Sequence, residues 1–395
     1  MTPLTRRGFV HGCGWCTALA LLSACQSPQG REGAVAPGYR PAPDSDEGGL
    51  WEIMDREEAR LRQSRFLVRD PAVTAYVHDI ACRLADDRCR DLRLYVIRTP
   101  YFNAMMAPNG MMQIWSGLLL RTSNEAQLAA VIGHEFGHYR QRHTLDRLRD
   151  VRSKADVGAF LGLGFAAAGL GAVGNLAQLA LIASIFAYNR DQEREADDIG
   201  IDLMAKAGFA PLEASHIWEQ IVAEEAADPY RGARDPFFAS HPAPEERMAT
   251  MREAAAKLEA PNQGTYADRY RTTLRGFRAS LLQDEIRLRQ YARSLVLMDR
   301  LIEAAPKDGE LLFYRGEVYR LRDHENDRDR ALANYDEASA GEGAPPEIWR
   351  SRGLVHRTAG DRSTAATAFD RYLTLRPDAP DRDLLRTYMV EGSRP

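Results

Sequence analysis

The stretch His134-Glu135-Phe136-Gly137-His138 decides how this chain is read. Two histidines four apart lie one above the other on a helical face, so both imidazoles can reach a single ion. The glutamate between them stands beside the position that a three-ligand zinc site leaves open, where it can take a proton from bound water. With nine histidines in 395 residues, the pattern arises by chance at odds on the order of one in a hundred. The competing meaning is a helix whose surface histidines have no role. Just upstream, Thr122-Ser123-Asn124-Glu125 reads as a capping box, and Leu128, Val131, Ile132 and Phe136 follow at helical spacing.

A third ligand has two candidate sources. One is a histidine six residues after the second, with a glycine between. Position 144 is Thr, position 141 is Gln, and His143 falls one residue short. The other is a glutamate from a later helix, supplied by Tyr188-Asn189-Arg190-Asp191-Gln192-Glu193-Arg194-Glu195-Ala196-Asp197. Glu193 and Asp197 share a helical face, so one can bind zinc while the other holds a ligand histidine by its second ring nitrogen. A solvated acidic face carrying Glu193, Glu195 and Asp197 is the plainer reading. Two halves of one zinc site in the right order argue against it.

With these pieces in place, the chain resembles the HtpX-like family of gluzincin metallopeptidases, which includes the CAAX prenyl endopeptidases and the BepA-type periplasmic proteases. The matching segments are Asn103-Ala104, Pro108-Asn109-Gly110, Gly117-Leu118-Leu119, the His134–His138 motif, the Asn189–Asp197 segment and Ser240-His241-Pro242. They cover roughly residues 50 to 258. The resemblance implies one zinc ion per chain held by His134, His138 and Glu193, with Glu135 as catalytic acid and base and Asp197 behind a ligand. The family often has serine where this chain has Asn189.

The first 25 residues read as an export signal. Thr5-Arg6-Arg7-Gly8-Phe9 precedes a short apolar run and then Leu22-Ser23-Ala24-Cys25. A basic start, about ten apolar residues and small residues before a cut describe a signal peptide rather than a span. The paired arginines resemble a twin-arginine signal, and the ending resembles a lipoprotein box in which Cys25 is lipidated. An ordinary cleaved signal is the alternative. Gln26 is not the aspartate that retains such proteins at the inner membrane, so a periplasmic chain anchored by lipid at the outer membrane is expected. Residues 26–49, rich in Pro, Gly and charge, read as a flexible tether. Cys82 and Cys89 then remain, and an oxidising compartment lets them pair, although two separate buried thiols fit equally.

Composition excludes one large class of partner. The net charge of -4 is spread over both signs and leaves no basic footprint for nucleic acid. Residues 50–260 are expected to form an α+β, mostly helical metalloprotease domain with a small sheet, with a helix from Trp51 to about Arg69 ahead of Asp70-Pro71. Leu92 to Thr99 alternates like a strand, and Phe102–Ala107 with Met111–Ser116 reads as a hairpin across Pro108-Asn109-Gly110. By the resemblance, a substrate chain would add itself to the exposed edge at Asn103, Ala104 and Met105 through main-chain hydrogen bonds. An ordinary buried hairpin is the alternative.

Residues 157–189 carry no charge and contain six glycines. That length can span a bilayer, but Glu193 must return to the metal within four residues, and Gly174-Asn175 offers a turn midway. A helical hairpin against the active site or the membrane surface is expected. Residues 265–395 are expected to form an all-α tetratricopeptide-repeat domain. Gly353, Gly360, Ala365, Phe369 and Pro377 fall at that repeat's offsets, and Gly316, Tyr319, Ala331, Tyr335 and Ala338 repeat them. Such a surface usually binds a peptide or partner.

His241 sits in a loop between Ala227 and Pro244 and has two candidate roles: steadying an oxyanion, or occupying the metal's open position as a gate. Tyr188 and Arg247 are further oxyanion candidates. The function expected from all this is a zinc metalloendopeptidase that degrades unfolded or misassembled envelope proteins, with its repeats contacting outer-membrane assembly machinery. An assembly factor or chaperone with latent proteolysis is the alternative.

Overall fold

The computed structural model describes residues 34–154, 188–227, 236–241 and 244–392. Cys25, the signal, and most of the charge-free stretch 157–189 lie outside the described residues. Among the described residues, no helix is long and apolar enough to cross a membrane.

The chain is ordered earlier than its composition implied. Residues 34–49, read above as the distal part of a tether, pack on the domain. Val35 is buried, and its amide donates to the Arg140 carbonyl at 2.9 Å. The Gly38 amide donates to the Asp91 carboxylate, and the Arg142 guanidinium lies 4.3 Å above the Tyr39 ring. A Pro- and Gly-rich composition signals low cost of bending, but a buried valine and a stacked tyrosine give these residues somewhere to bind. Helix α1 therefore begins at Asp46, capped by Ser45, and ends at Arg62. The expected extension to Arg69 is lost because residues 66–68 run beside the first strand, with the Val68 amide donating to the Val96 carbonyl and Arg98 to Phe66.

Asp70 caps helix α2 (Pro71–Ala85), accepting from the amides of Ala72 and Val73, with Pro71 in the first turn where its missing N–H costs nothing. Cys82 near its end is joined by a disulfide to Cys89 in the short 3-10 turn Asp86–Asp91, with Cα atoms 4.7 Å apart. Strands β1 (Arg93–Ile97), β2 (Ala104–Met106) and β3 (Met111–Trp115) form one sheet in the order β1-β3-β2. β1 is parallel to β3, and β2 is antiparallel to it. Gly110 adopts φ 87° in the β2–β3 turn, where a side chain would also strike the Asp91 carbonyl. Asn109 fixes the same turn to α1 by donating to Asp55 and Glu58. Burial would raise the Glu58 carboxyl, but Arg93, Tyr95 and Arg62 hold it down at about 2.

After α3 (Ser116–Arg121), helix α4 (Glu125–Arg140) carries the zinc motif through the centre of the core. Its cap is Asn124, which accepts from the Gln127 amide, while the Gln127 side chain reaches back to the Ser123 amide. The Thr122–Glu125 box expected from sequence is not used. Thr122 donates to the Leu118 carbonyl, and Glu125 accepts from Tyr76. Helix α5 (His143–Lys154) follows, then α6 (Arg190–Lys206), α7 (Glu213–Ala226), the short α8 (Pro236–Ser240) and α9 (Pro244–Ala256).

The contact between α4 and α6 makes the site. A Cβ on Gly137 would stand 2.9 Å from the Ala196 backbone, and one on Gly200 would stand 2.9 Å from the His134 amide. Side chains normally hold packed helices 8–10 Å apart. Gly133, Gly137, Ala196 and Gly200 remove that spacer, so Glu193 on α6 reaches both histidines of α4.

The C-terminal helices are α10 (Ala267–Arg287), α11 (Tyr291–Ala304), α12 (Gly309–Arg322), α13 (Asp327–Ala340), α14 (Glu347–Thr358), α15 (Arg362–Leu375) and α16 (Arg382–Gly392). Two pairs repeat one contact. Gly316 on α12 lies against Tyr335 on α13, and Gly353 on α14 lies against Phe369 on α15. Apolar packing runs unbroken from Val35 to Val355, so α10 to α14 share a core with the metal-binding region, while α15 and α16 pack in a cluster of their own around Phe369. Charges cross the same junction. Fully buried Arg121 donates to Glu224 on α7 at 2.7 Å and to Glu285 on α10 at 2.9 Å. Glu224 also accepts from Arg300 on α11, and Glu285 from Ser294.

Candidate metal centre

Four buried side chains converge at one point: His134 and His138 from α4, Glu193 from α6, and His241 just after α8. Sequence explains each placement. Asn189 caps α6 with its own capping box, closed by Gln192, which sets Glu193 one turn into the helix. A serine can supply the same cap, so the departure at position 189 leaves the ligand face unchanged. His241 is carried by α8 through its amide, which donates to the Phe237 carbonyl at 2.9 Å. Its imidazole lies flat on the Phe237 ring, with centroids 4.1 Å apart.

The distances fit a tetrahedral ion. His134 Nε2 lies 3.0 Å from His138 Nε2 and 3.2 Å from His241 Nδ1. Glu193 Oε1 lies 3.0 Å from His241 Nδ1 and 3.4 Å from His138 Nε2, and Glu193 Oε2 lies 3.7 Å from His134 Nε2. Ligands held at about 2.0–2.1 Å around a tetrahedral zinc stand roughly 3.3 Å apart from one another. Burial holds His134 and His138 below the usual histidine range, which keeps both neutral and free to ligate.

A buried frame stands behind this set. Asp197 Oδ1 lies 2.8 Å from His134 Nδ1, so that ring is the Nδ1–H tautomer and its Nε2 lone pair faces the centre. Arg247 grips Asp197 with two bonds of 2.7 and 2.6 Å and also contacts Glu193. Arg247, an oxyanion candidate from sequence, is thus engaged with two carboxylates in this structure. Its guanidinium neutralises the carboxylates instead of facing a substrate. Tyr188, the other oxyanion candidate, has partners of its own. Its ring stacks on His138 with centroids 3.7 Å apart, and its hydroxyl pairs with Thr144 at 3.0 Å.

Glu135 is buried beside the four donors, with Oε1 3.4 Å from His241 Nε2. Its carboxylate also accepts from the Met106 backbone. Burial pushes this carboxyl up to about 7, with His241 pulling it partly back. A group poised there can both take and return a proton near neutral pH.

The edge strand is displaced by one residue from the expectation. The Trp115 amide donates to the Asn103 carbonyl and the Ala107 amide to the Met111 carbonyl. Alternation in an antiparallel ladder then turns Met105 towards β3 as well, and leaves Ala104 and Met106 facing away from it. Asn103 and Met105 are therefore not the free edge, and Ala104 and Met106 are. The Met106 contact to Glu135 puts that edge beside the centre.

Sequence reasoning missed three further residues. His143, set aside as a third ligand, lies against His138 with Nδ1 2.8 Å from Nδ1. Phe237 and Trp218 pack around His241 and His134. The helical spacing of Trp218 with Ile217 and Ile221 signals only a core face.

Residues 69–255 match the model of Peptidase family M48. The chain carries a peptidase family M48 domain. Peptidases of this family use zinc. The chain is similar to a putative beta-barrel assembly-enhancing protease of Vibrio cholerae, 30% identical over 64% of this chain and 54% of that protein. It is similar to the mitochondrial metalloendopeptidase OMA1 of Schizosaccharomyces pombe, 33% identical over 46% of this chain and 52% of that one. A beta-barrel assembly-enhancing protease of Escherichia coli is 29% identical over 50% of this chain and 42% of its own length. The chain spans about half the length of the curated relatives it matches.

Proposed function

We propose that this protein is a zinc metalloendopeptidase that cleaves unfolded or misassembled proteins of the bacterial envelope. The observation that carries the reading is the buried convergence of His134, His138, Glu193 and His241 beside Glu135 and the free edge of β2. Zinc held by the two α4 histidines and Glu193 would supply the Lewis acidity that lowers the pKa of a bound water and polarises a carbonyl. The chain's own groups do the rest. Ala104 and the Met106 carbonyl pair with an extended substrate backbone, giving affinity with little demand on sequence. Glu135 takes the proton of the attacking water and returns it to the departing amine. Asp197 and Arg247 keep His134 and Glu193 in place through both steps.

The names of the relatives support an envelope setting, and the export signal and Cys25 support lipid anchoring, with the outer membrane as the favoured site. Mass spectrometry of the mature N-terminal peptide should find a diacylglyceryl-type addition on Cys25, and an unmodified chain beginning elsewhere would refute the anchor. The paired helices after residue 265, read as tetratricopeptide repeats, are proposed to bind substrate or outer-membrane assembly machinery. A second reading, an assembly factor with latent proteolysis, is favoured by His241 standing among the donors.

The test uses purified full-length protein and an unfolded casein. Internal cleavage should appear, stop with o-phenanthroline and return with zinc. Absence of cleavage in both the wild type and His241→Ala would favour the assembly factor.

A further inference from the structure

His138 has its own support, made of His143 and Glu195, neither of them one of the four donors. His143 is buried, and its Nδ1 lies 2.8 Å from His138 Nδ1. On its other side, His143 Nε2 lies 3.5 Å from Glu195 Oε2. Gln141 in turn donates to Glu195 Oε1. Arg142, at φ 56°, makes the turn out of α4 that folds His143 back onto the motif.

Proton placement along this line is forced. If His138 offers its Nε2 lone pair to the centre, its neutral ring must carry the hydrogen on Nδ1. That hydrogen faces His143 Nδ1, which must accept it. His143 then carries its own hydrogen on Nε2, the nitrogen that has the Glu195 carboxylate 3.5 Å away as a charge neighbour rather than a hydrogen-bond partner. On the other ligand, Asp197 accepts directly from His134 Nδ1. The α6 helix therefore supplies Glu193 to the centre, Asp197 to one histidine and Glu195, by way of His143, to the other.

We propose that His143, backed by Glu195, is the positioning residue that fixes the tautomer and orientation of His138 for metal binding. The proposal rests on His138 being a ligand. Outer partners of ligand histidines typically contribute 10- to 100-fold to metal affinity. An Asn at 143 can place Oδ1 near the site of Nδ1 and still accept from His138, whereas Leu fills the space and accepts nothing.

Metal-free full-length protein should be titrated with zinc against a chromophoric chelator. His143→Leu should weaken zinc binding by about 10- to 100-fold, and His143→Asn should restore most of it. The thermal midpoint of all variants without metal should stay near that of the wild type. With cobalt(II) in place of zinc, the visible absorption bands should shift in His143→Leu and not in His143→Asn. Unchanged zinc affinity in His143→Leu overturns the proposal. If that variant melts early without metal, Glu195→Leu replaces it, because Glu195 is not one of the four donors, and unchanged affinity there is equally fatal. His138→Ala separates the two readings. Loss of zinc in that variant alone sinks only the role of His143, whereas tight zinc binding in it sinks the ligand assignment itself.

Discussion

Glu135→Gln is expected to lower kcat/KM on an unfolded protein by about 10²- to 10⁴-fold, the range of a lost general acid–base group. Zinc binding should be unchanged. The substituted amide keeps the shape of the carboxylate and can still accept from the Met106 backbone, so the β2 edge stays where it is. It cannot take a proton. Arg247 is held in place by Asp197 and Glu193 and feels Glu135 only through space, so the ligand frame keeps its contacts. The measurement is cleavage of a fluorescent casein by wild type and variant at matched zinc content. Activity within tenfold of wild type would remove Glu135 from the chemistry, and a fall in zinc content would make it a structural residue.

His241→Ala carries the second large effect, and its sign decides between two roles. His241 Nδ1 stands 3.0 Å from Glu193 and 3.2 Å from His134, inside the donor set rather than beside it. An imidazole there takes the position that water needs. Its removal is then expected to raise proteolysis, including self-cleavage, by about tenfold if the open state is roughly a tenth populated at rest. Had His241 served as an oxyanion donor, the same change would lower turnover by about 10²-fold. A single time course on the purified variant reads the sign. Equal rates would return His241 to an ordinary loop residue.

Much of the fold was legible because its signals are local. The Asp70-Pro71 cap, the turn at Pro108-Asn109-Gly110 and the helical spacing around His134 each depend on neighbours in sequence. The donor set was legible for a related reason. Glu193 and Asp197 sit one turn apart on a single helix, so their shared face is a matter of counting. The misreadings all involve partners far along the chain. Residues 34–49 look flexible until Arg140, Arg142 and Asp91 are brought to them. Arg247 and Tyr188 carry suitable groups, but in the fold Arg247 donates to Asp197 and the Tyr188 hydroxyl pairs with Thr144. The strand edge slipped by one residue because pairing parity is fixed by β3 and not by composition. His143 was passed over because counting from His138 tests only whether it could reach the ion, not whether it could hold the residue that does.

The buried charges around Arg121 bear on how such a protein can be assembled from parts in evolution or in the laboratory. Ending the chain after the catalytic residues, near 260, would leave Arg121 without Glu285 and Glu224 without Arg300. Breaking one buried pair costs about 3–5 kcal/mol, a large share of the roughly 5–15 kcal/mol that keeps a typical domain folded. Helices α10 and α11 therefore travel with the protease, whatever array of helices is grafted beyond them. Exchange of partner-binding modules is tolerable only downstream of Ala305, and the catalytic half inherits its first two "repeat" helices as permanent equipment.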